Sequence, residues 1–160
     1  MEKVPRIAAI VLWIAGAVLI VVGVVSYSMV QRELADEKIV VSDDAESHAG
    51  EQVDGPLTAY AQAMVIKEHA IEIGNGKTYA ELPQDDPTRD TVMTASFLRA
   101  SLFTSVVAFG VAALVAGLGL LFLVIGFAVF ALDRRGRRRS SDPVDVEPVA
   151  IPPVAAAGGG

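Results

Sequence analysis

The run of residues 7–30, IAAIVLWIAGAVLIVVGVVSYSMV, contains 24 residues and no charged side chain. An α-helix rises about 1.5 Å per residue, so this run can extend for about 36 Å and cross a hydrocarbon core that is about 30 Å thick. Residues 100–132 form a second uncharged run, of 33 residues, and we expect only its middle and end, from Ser105 to Phe130, to lie in hydrocarbon. The two runs predict two transmembrane helices.

The first run has one alternative explanation, a cleaved signal peptide, because Lys3 and Arg6 precede it as a basic segment. The apolar segment of a signal peptide is normally about 7–15 residues long, and the run here is much longer. No clear small-x-small cleavage site follows it. We therefore expect an uncleaved anchor.

Basic residues flank the two runs unequally. The two outer flanks carry seven Lys or Arg residues, whereas the two flanks of the intervening loop carry four. Five of the seven form one cluster after the second run: Arg134, Arg135, Arg137, Arg138 and Arg139. Because Lys and Arg accumulate on the cytoplasmic side, both termini are predicted to be cytoplasmic and the loop extracytoplasmic. The loop is acidic, with 14 acids and 5 bases over residues 31–96. The heavy use of Ala, Val, Gly and Arg resembles that of proteins from GC-rich bacterial genomes, so we expect the bacterial plasma membrane.

The loop contains signals for local structure. Pro56 suits the first turn of a helix and Gly74 suits the position just after one, so we expect a helix near residues 57–73. Such a helix needs a surface to lie against, because isolated helices of this length are marginal. Residues 39–41 could form a short strand, which would need a partner.

A third helix is predicted to start at Asp86 and Pro87, which have the character of an N-cap and a first-turn proline. It should continue without interruption from residue 87 through the second apolar run. The fold class is therefore an all-α membrane protein, a two-transmembrane helical hairpin with a small, mostly helical extracytoplasmic loop domain. The predicted segments are a cytoplasmic N-terminus (1–6), transmembrane helix 1 (7–30), the acidic loop (31–99), transmembrane helix 2 (100–132), and a cytoplasmic basic cluster with a disordered tail (133–160).

Small residues recur every seven positions in both apolar runs. A repeat of this length keeps small residues on one seam of a left-handed helix pair, either a hairpin within the chain or a dimer, where they let two backbones approach in lipid. The alternative is that glycine is simply common in membrane helices. The predicted packing seam consists of Ala9, Gly16, Gly23, Gly110 and Gly117, and Gly119 with Gly126 forms a further pair of this spacing.

Few residues of the chain point to chemistry. There is no cysteine, which excludes thiolate catalysis and cysteine metal sites. Gly76-Lys77-Thr78 matches only the end of a phosphate-binding loop, because Ile71 stands where another glycine is required. The chain has only two histidines, His48 and His69. His69 and Glu72 could place two metal ligands on one helical face, but there is no His-Glu-x-x-His motif and no third ligand for this pair is apparent. Neither apolar run holds a charged residue, which argues against a transporter or channel. We predict no catalytic, cofactor-binding or metal-binding residue and no cofactor.

The arginine cluster predicts contact with anionic lipid head groups at the cytoplasmic face, at about 1 kcal/mol per basic residue. The following Ser140 and Ser141 would suit a kinase that prefers basic sites, and a phosphate there would weaken the attraction. Nucleic acid is not an expected partner, because Asp142, Asp145 and Glu147 follow at once.

Three stretches resemble a group of small actinobacterial two-helix membrane proteins: GPLTAYAQ at residues 55–62, GKTYAEL at residues 76–82, and TVMTASFLRASLFTSVVAFG at residues 91–110. The likeness covers roughly residues 38–125 and is most specific in the last stretch. Members often carry the name aromatic ring-opening dioxygenase, which implies a non-haem iron enzyme with histidine and glutamate ligands. No catalytic residue can be carried over, because His48 and His69 lie in separate segments.

We therefore expect a non-enzymatic protein of the cell envelope, an accessory or scaffold for other membrane proteins that acts through its extracytoplasmic helices. Its partner would be another membrane protein or a second copy of itself. One alternative is the ring-opening dioxygenase, which needs iron and both histidines. The other is a lipid- or phosphorylation-responsive membrane regulator, which needs the arginine cluster and Ser140.

Overall fold

The computed structural model describes residues 4–141, with side chains up to residue 135. It contains three helices: α1 (Val4–Asp36, 33 residues), α2 (Pro56–Ile73, 18 residues) and α3 (Arg89–Ser141, 53 residues). Both α1 and α2 contact α3. The prediction of an all-helical chain with two long apolar helices is confirmed for this part of the chain. The tail that was predicted to be disordered lies outside the described residues from 142 onward.

Two of the helices, α1 and α3, are long and apolar enough to cross a membrane. Only 17% of the most apolar window of α1 is buried, and only 11% of that of α3. A helix in the core of a soluble protein buries most of such a surface, because exposed apolar area is unfavourable in water. The exposure of both helices therefore favours lipid as their surroundings.

Small residues bring α1 and α3 close together. Ala9, Gly16 and Gly23 are all buried on α1, as their spacing predicted. A Cβ atom built on Gly16 would lie 2.7 Å from the carbonyl oxygen of Gly119, and one on Gly23 would lie 2.7 Å from the amide nitrogen of Ala116. Backbones approach this closely only where bulky side chains are absent.

The hairpin form of the seam prediction was wrong about which glycines of α3 face α1. Gly110 and Gly117 are exposed, and a Cβ atom on either would meet nothing within 4 Å. Gly119 and Gly126 are buried instead. Phe109 is almost completely buried against α1, and a residue that follows it directly is turned by about 100° to another face of the helix. The burial of Phe109 therefore turns Gly110, and with it Gly117, away from α1.

A small core joins the two long helices to the segment between α1 and α2. Val41 and Val53 are almost fully buried in it, together with Leu34, Ala59 and Leu102. The Val53 amide donates to the Ile39 carbonyl at 2.8 Å, and the Val41 amide donates to the Glu51 carbonyl at 2.8 Å. The predicted strand at residues 39–41 thus finds a partner in residues 51–53, although the two pair through a single antiparallel bridge.

The start of α2 agrees with its prediction to within one residue, whereas α3 starts two residues later than residue 87. The carboxylate of Asp86 accepts hydrogen bonds from the Thr88 amide at 2.9 Å and from the Thr88 hydroxyl at 2.6 Å. These bonds form a separate turn that contains Pro87. The α-helix begins only at Arg89, after this turn.

Candidate functional site

The residues between the long apolar stretches form what we call the connecting unit (residues 37–99), in which α2 lies antiparallel to the first turns of α3. At one end, the ring of Tyr60 meets that of Phe103 edge-on, with 5.8 Å between centroids. At the other end, Ala70 packs with Val92. Since one contact joins the start of α2 to a later part of α3, and the other joins the end of α2 to the start of α3, the two helices run in opposite directions.

An open groove runs along one side of the α2–α3 contact, and we call it the apolar groove. It encloses about 720 Å³, including the part open to solvent. Two of its large apolar side chains are strongly exposed, Ile73 at 42% and Leu98 at 53%. Most of its lining is apolar or carries only a hydroxyl: Ile66, Ala70, Ile73, Thr91, Thr94, Ala95 and Leu98, with His69 at the rim. Such a surface can bury another apolar surface.

The two histidines bind separate carboxylates. His69 Nε2 lies 2.6 Å from Asp44 Oδ2, and His48 Nδ1 lies 2.9 Å from Glu51 Oε2. The hydrogen bond from His69 holds the pKa of Asp44 below its ordinary value. Among the described residues, no group of three or more histidines and carboxylates is arranged to hold a metal ion. The histidine contacts tie the loop to itself and to α2.

Polar contacts fix the segment between α1 and α2 onto both helices. The Ser42 amide donates to the side-chain oxygen of Gln62 on α2 at 2.9 Å. The side-chain amide of Gln52 donates to the Ala35 carbonyl at the end of α1, also at 2.9 Å. The connecting unit is therefore held to α1 as well as to α3.

The turn between α2 and α3 is organised around Arg89, one of the four Lys or Arg residues counted above in the flanks of the loop. Its guanidinium donates to the backbone carbonyls of Tyr79 and Leu82 and lies 4.4 Å from the centre of the Tyr79 ring. Within the same turn, the Thr78 amide and hydroxyl each donate to the Glu81 carboxylate at 2.8 Å. These two bonds lower the pKa of Glu81. The sequence gives no signal for the Arg89 contacts, because they depend on how the turn folds back.

Far from the connecting unit, the start of α1 and the later part of α3 are joined by an ion pair that the sequence did not reveal. Arg6 Nε lies 3.2 Å from Asp133 Oδ2, and the Asp133 side chain is only 8% exposed. Next to it, the guanidinium of Arg134 lies 5.4 Å from the centre of the Phe130 ring. Arg135 is exposed. The remaining predicted anchors lie in α3, but their side chains are outside the described part of the chain: Arg137, Arg138 and Arg139.

Comparisons of the chain with protein-family models, with curated proteins and with solved structures find no match.

Proposed function

We propose that this chain is a non-enzymatic accessory or scaffold protein of the bacterial plasma membrane. In this proposal α1 and α3 cross the membrane, both termini are cytoplasmic, and the connecting unit is extracytoplasmic and binds another membrane protein. The cluster of five arginines between Arg134 and Arg139 would lie against anionic lipid head groups and hold this orientation.

The apolar groove is the observation that carries the proposal. Leu98 precedes Ser105, where we expect hydrocarbon to begin, by seven residues or about 10 Å of helix. At that height Leu98 and Ile73 stand beyond the hydrocarbon, where exposed apolar area is unfavourable unless something covers it. A partner protein that covers the groove would gain about 25 cal/mol for each Å² of apolar surface removed from water.

The proposal is tested by placing a photo-crosslinking amino acid at position 98 in cells that express the full chain. We expect one discrete adduct with another membrane protein, and we expect the same protein to co-purify with the wild type in a fixed ratio. Leu98→Asp should abolish co-purification, because burying an unpaired carboxylate is strongly unfavourable.

The matched control is Phe97→Asp. Phe97 directly precedes Leu98 in α3, is 67% exposed and does not line the groove. This variant should retain the partner. A partner that is lost with Phe97→Asp but kept with Leu98→Asp would contradict the assignment of the groove, and crosslinks to lipid alone would contradict a scaffold role.

The ring-opening dioxygenase is separable from this proposal by one measurement. Elemental analysis of the purified protein should find no stoichiometric iron, either in the wild type or in a His48→Ala/His69→Ala double variant. Stoichiometric iron that the double variant loses would contradict the proposal and support the enzyme.

A further inference from the structure

A second cleft lies on the other side of the α2–α3 contact from the apolar groove. It is enclosed by the second half of α2, by the turn that follows α2, and by the first turns of α3, and it measures about 400 Å³ including its open mouth. Its floor is apolar, and Ala70 and Val92 within it are buried. We call it the cationic cleft because of the side chains at its rim.

Three basic side chains line the cationic cleft, and each comes from a different element: Lys67 from α2, Lys77 from the turn and Arg99 from α3. Between residues 31 and 99 the chain has 14 acids and only six Lys or Arg residues. Half of these bases therefore meet at one cleft, whereas none of the acids is among the residues that line it. Like charges repel, so this gathering is unfavourable unless an anion compensates it.

None of the three cations forms a salt bridge with any residue whose side chain the structure describes. After the hydrogen bonds from Thr78 and Thr88, the charge of Lys77 further lowers the pKa values of Glu81 and Asp86, but neither carboxylate forms a salt bridge with it. The positive charge at the cleft is therefore available to an external group.

The side chain of Arg99 separately indicates that the cleft has room for an anionic partner. Its Nε atom is buried and has no hydrogen-bond partner in the structure. Its guanidinium also lies 5.2 Å from the centre of the Phe103 ring. A buried donor without a partner is unfavourable, and an arginine fork matches the paired oxygens of a phosphate.

The backbone of the turn helps to form the rim. Gly76 has a φ of +84° and follows Asn75, which is also left-handed at +51°. These two residues reverse the chain at the end of α2 and bring Lys77 back toward the helix. The position of Lys77 thus follows from the turn, and the match of Gly76-Lys77-Thr78 to part of a nucleotide-binding motif has no bearing on it.

We propose that the cationic cleft binds a phosphate group, which Arg99 receives through its guanidinium while Lys67 and Lys77 neutralise its charge. Two sources of this group fit the position. Arg99 precedes Ser105 by six residues, or about 9 Å of helix, so a phospholipid head group lies within reach if the proposed topology holds. A free phosphate or soluble phosphate ester would reach the same cleft through its open mouth.

The test uses the full chain in a nonionic detergent, with inorganic phosphate and dihexanoyl phosphatidic acid as probes, and phosphorus NMR to follow binding. We expect saturable binding that weakens about tenfold in Arg99→Gln and several-fold in Lys67→Gln, since each loses a charge-assisted contact. The matched control is Lys38→Gln, which removes an exposed cation of the same loop that is not in the cleft and should bind as the wild type does.

The two probes separate the sources of the phosphate group. The comparison uses the part of the binding that Arg99→Gln removes. If this binding is tighter for phosphatidic acid than for inorganic phosphate, the ligand is a lipid head group. Equal affinities for the two probes indicate a free phosphate. If Arg99→Gln loses helical circular dichroism, Lys67→Gln decides the result, because Lys67 has no structural contact of this kind. Binding that does not saturate, or that is unchanged in both cleft variants, would overturn the proposal, whatever the outcome of the groove experiment.

Discussion

Replacing Gly119 or Gly117 by alanine adds the same methyl group to the same helix, two residues apart, in two different surroundings. At Gly119 the new Cβ atom would lie 2.6 Å from the carbonyl oxygen of Gly16 and 2.8 Å from the amide nitrogen of Ile20. Both are backbone atoms, so they cannot rotate away and the two helices must separate. At Gly117 the Cβ atom would meet nothing within 4 Å.

The magnitude follows from two opposing effects. Alanine favours a helix over glycine by about 1 kcal/mol, and this gain applies at both positions. Overpacking a close contact costs about 1–3 kcal/mol, and this penalty applies only at Gly119. We therefore expect Gly117→Ala to be stabilising by up to about 1 kcal/mol and Gly119→Ala to be neutral or destabilising, with a gap of about 1–3 kcal/mol between the two variants.

The single tryptophan is a probe of this interface. Trp13 lies against Gly126 and has its ring centroid 5.5 Å from that of Phe130, so separation of the helices should change its fluorescence. Unfolding of each variant would be followed by titrating sodium dodecyl sulfate into mixed micelles. Equal stabilities for the two variants, or greater damage in Gly117→Ala, would refute the pairing of α1 with the Gly119 face.

Three further predictions concern the connecting unit. The pKa values of Asp44, Glu81 and Asp86 are lowered in the folded state from the ordinary values of 3.8 for Asp and 4.5 for Glu. The stability that these carboxylates contribute is therefore complete above the ordinary pKa values. It is lost as the pH falls through the lower pKa values of the folded state. The helical circular dichroism signal of the protein should thus be constant near neutral pH and decrease only below about pH 4. A decrease between pH 5 and 7 would contradict this prediction. Val53→Ala should cost about 2 kcal/mol, because it removes two buried methyl groups and leaves a cavity, and the Val41 amide should then exchange faster with solvent. Asp44→Asn should weaken the contact with α2 and speed exchange of the loop amides, while unchanged exchange would show that this contact is unimportant.

The long helices could be predicted from the sequence because hydrophobicity alone determines them. A run of 24 uncharged residues has few alternatives to a membrane helix. The seam on α1 could also be predicted, since Ala9, Gly16 and Gly23 form its only row of three small residues with this spacing. Local rules similarly identified α2, from Pro56 at its start.

The surface of α3 that faces α1 could not be predicted from the sequence in the same way. Gly110 with Gly117 and Gly119 with Gly126 have identical spacing, so periodicity alone cannot choose between them. The choice depends on larger side chains such as Phe109, which is buried against α1. Reading the heptad pattern of the large and small residues together, rather than the glycines alone, is the signal that would have identified the correct pair.

The cationic cleft lay beyond sequence reasoning for a different reason. Lys67, Lys77 and Arg99 are separated by 10 and 22 residues and belong to three elements, so nothing in their spacing relates them. They meet because α2 runs antiparallel to α3 and the turn at Gly76 folds back. In the same way, the Arg6–Asp133 pair joins residues 127 positions apart, which only the pairing of the two long helices brings together.

The absence of cysteine from the chain allows its topology to be measured directly. Single-cysteine variants at Ser47, in the connecting unit, and at Ser140, after the second apolar run, would be treated in intact cells with a maleimide that does not cross membranes. The proposed arrangement predicts that Ser47→Cys is labelled in intact cells and that Ser140→Cys is labelled only after the membrane is opened. Labelling of Ser140→Cys but not of Ser47→Cys in intact cells would contradict the arrangement, and with it the accessory role proposed for the connecting unit.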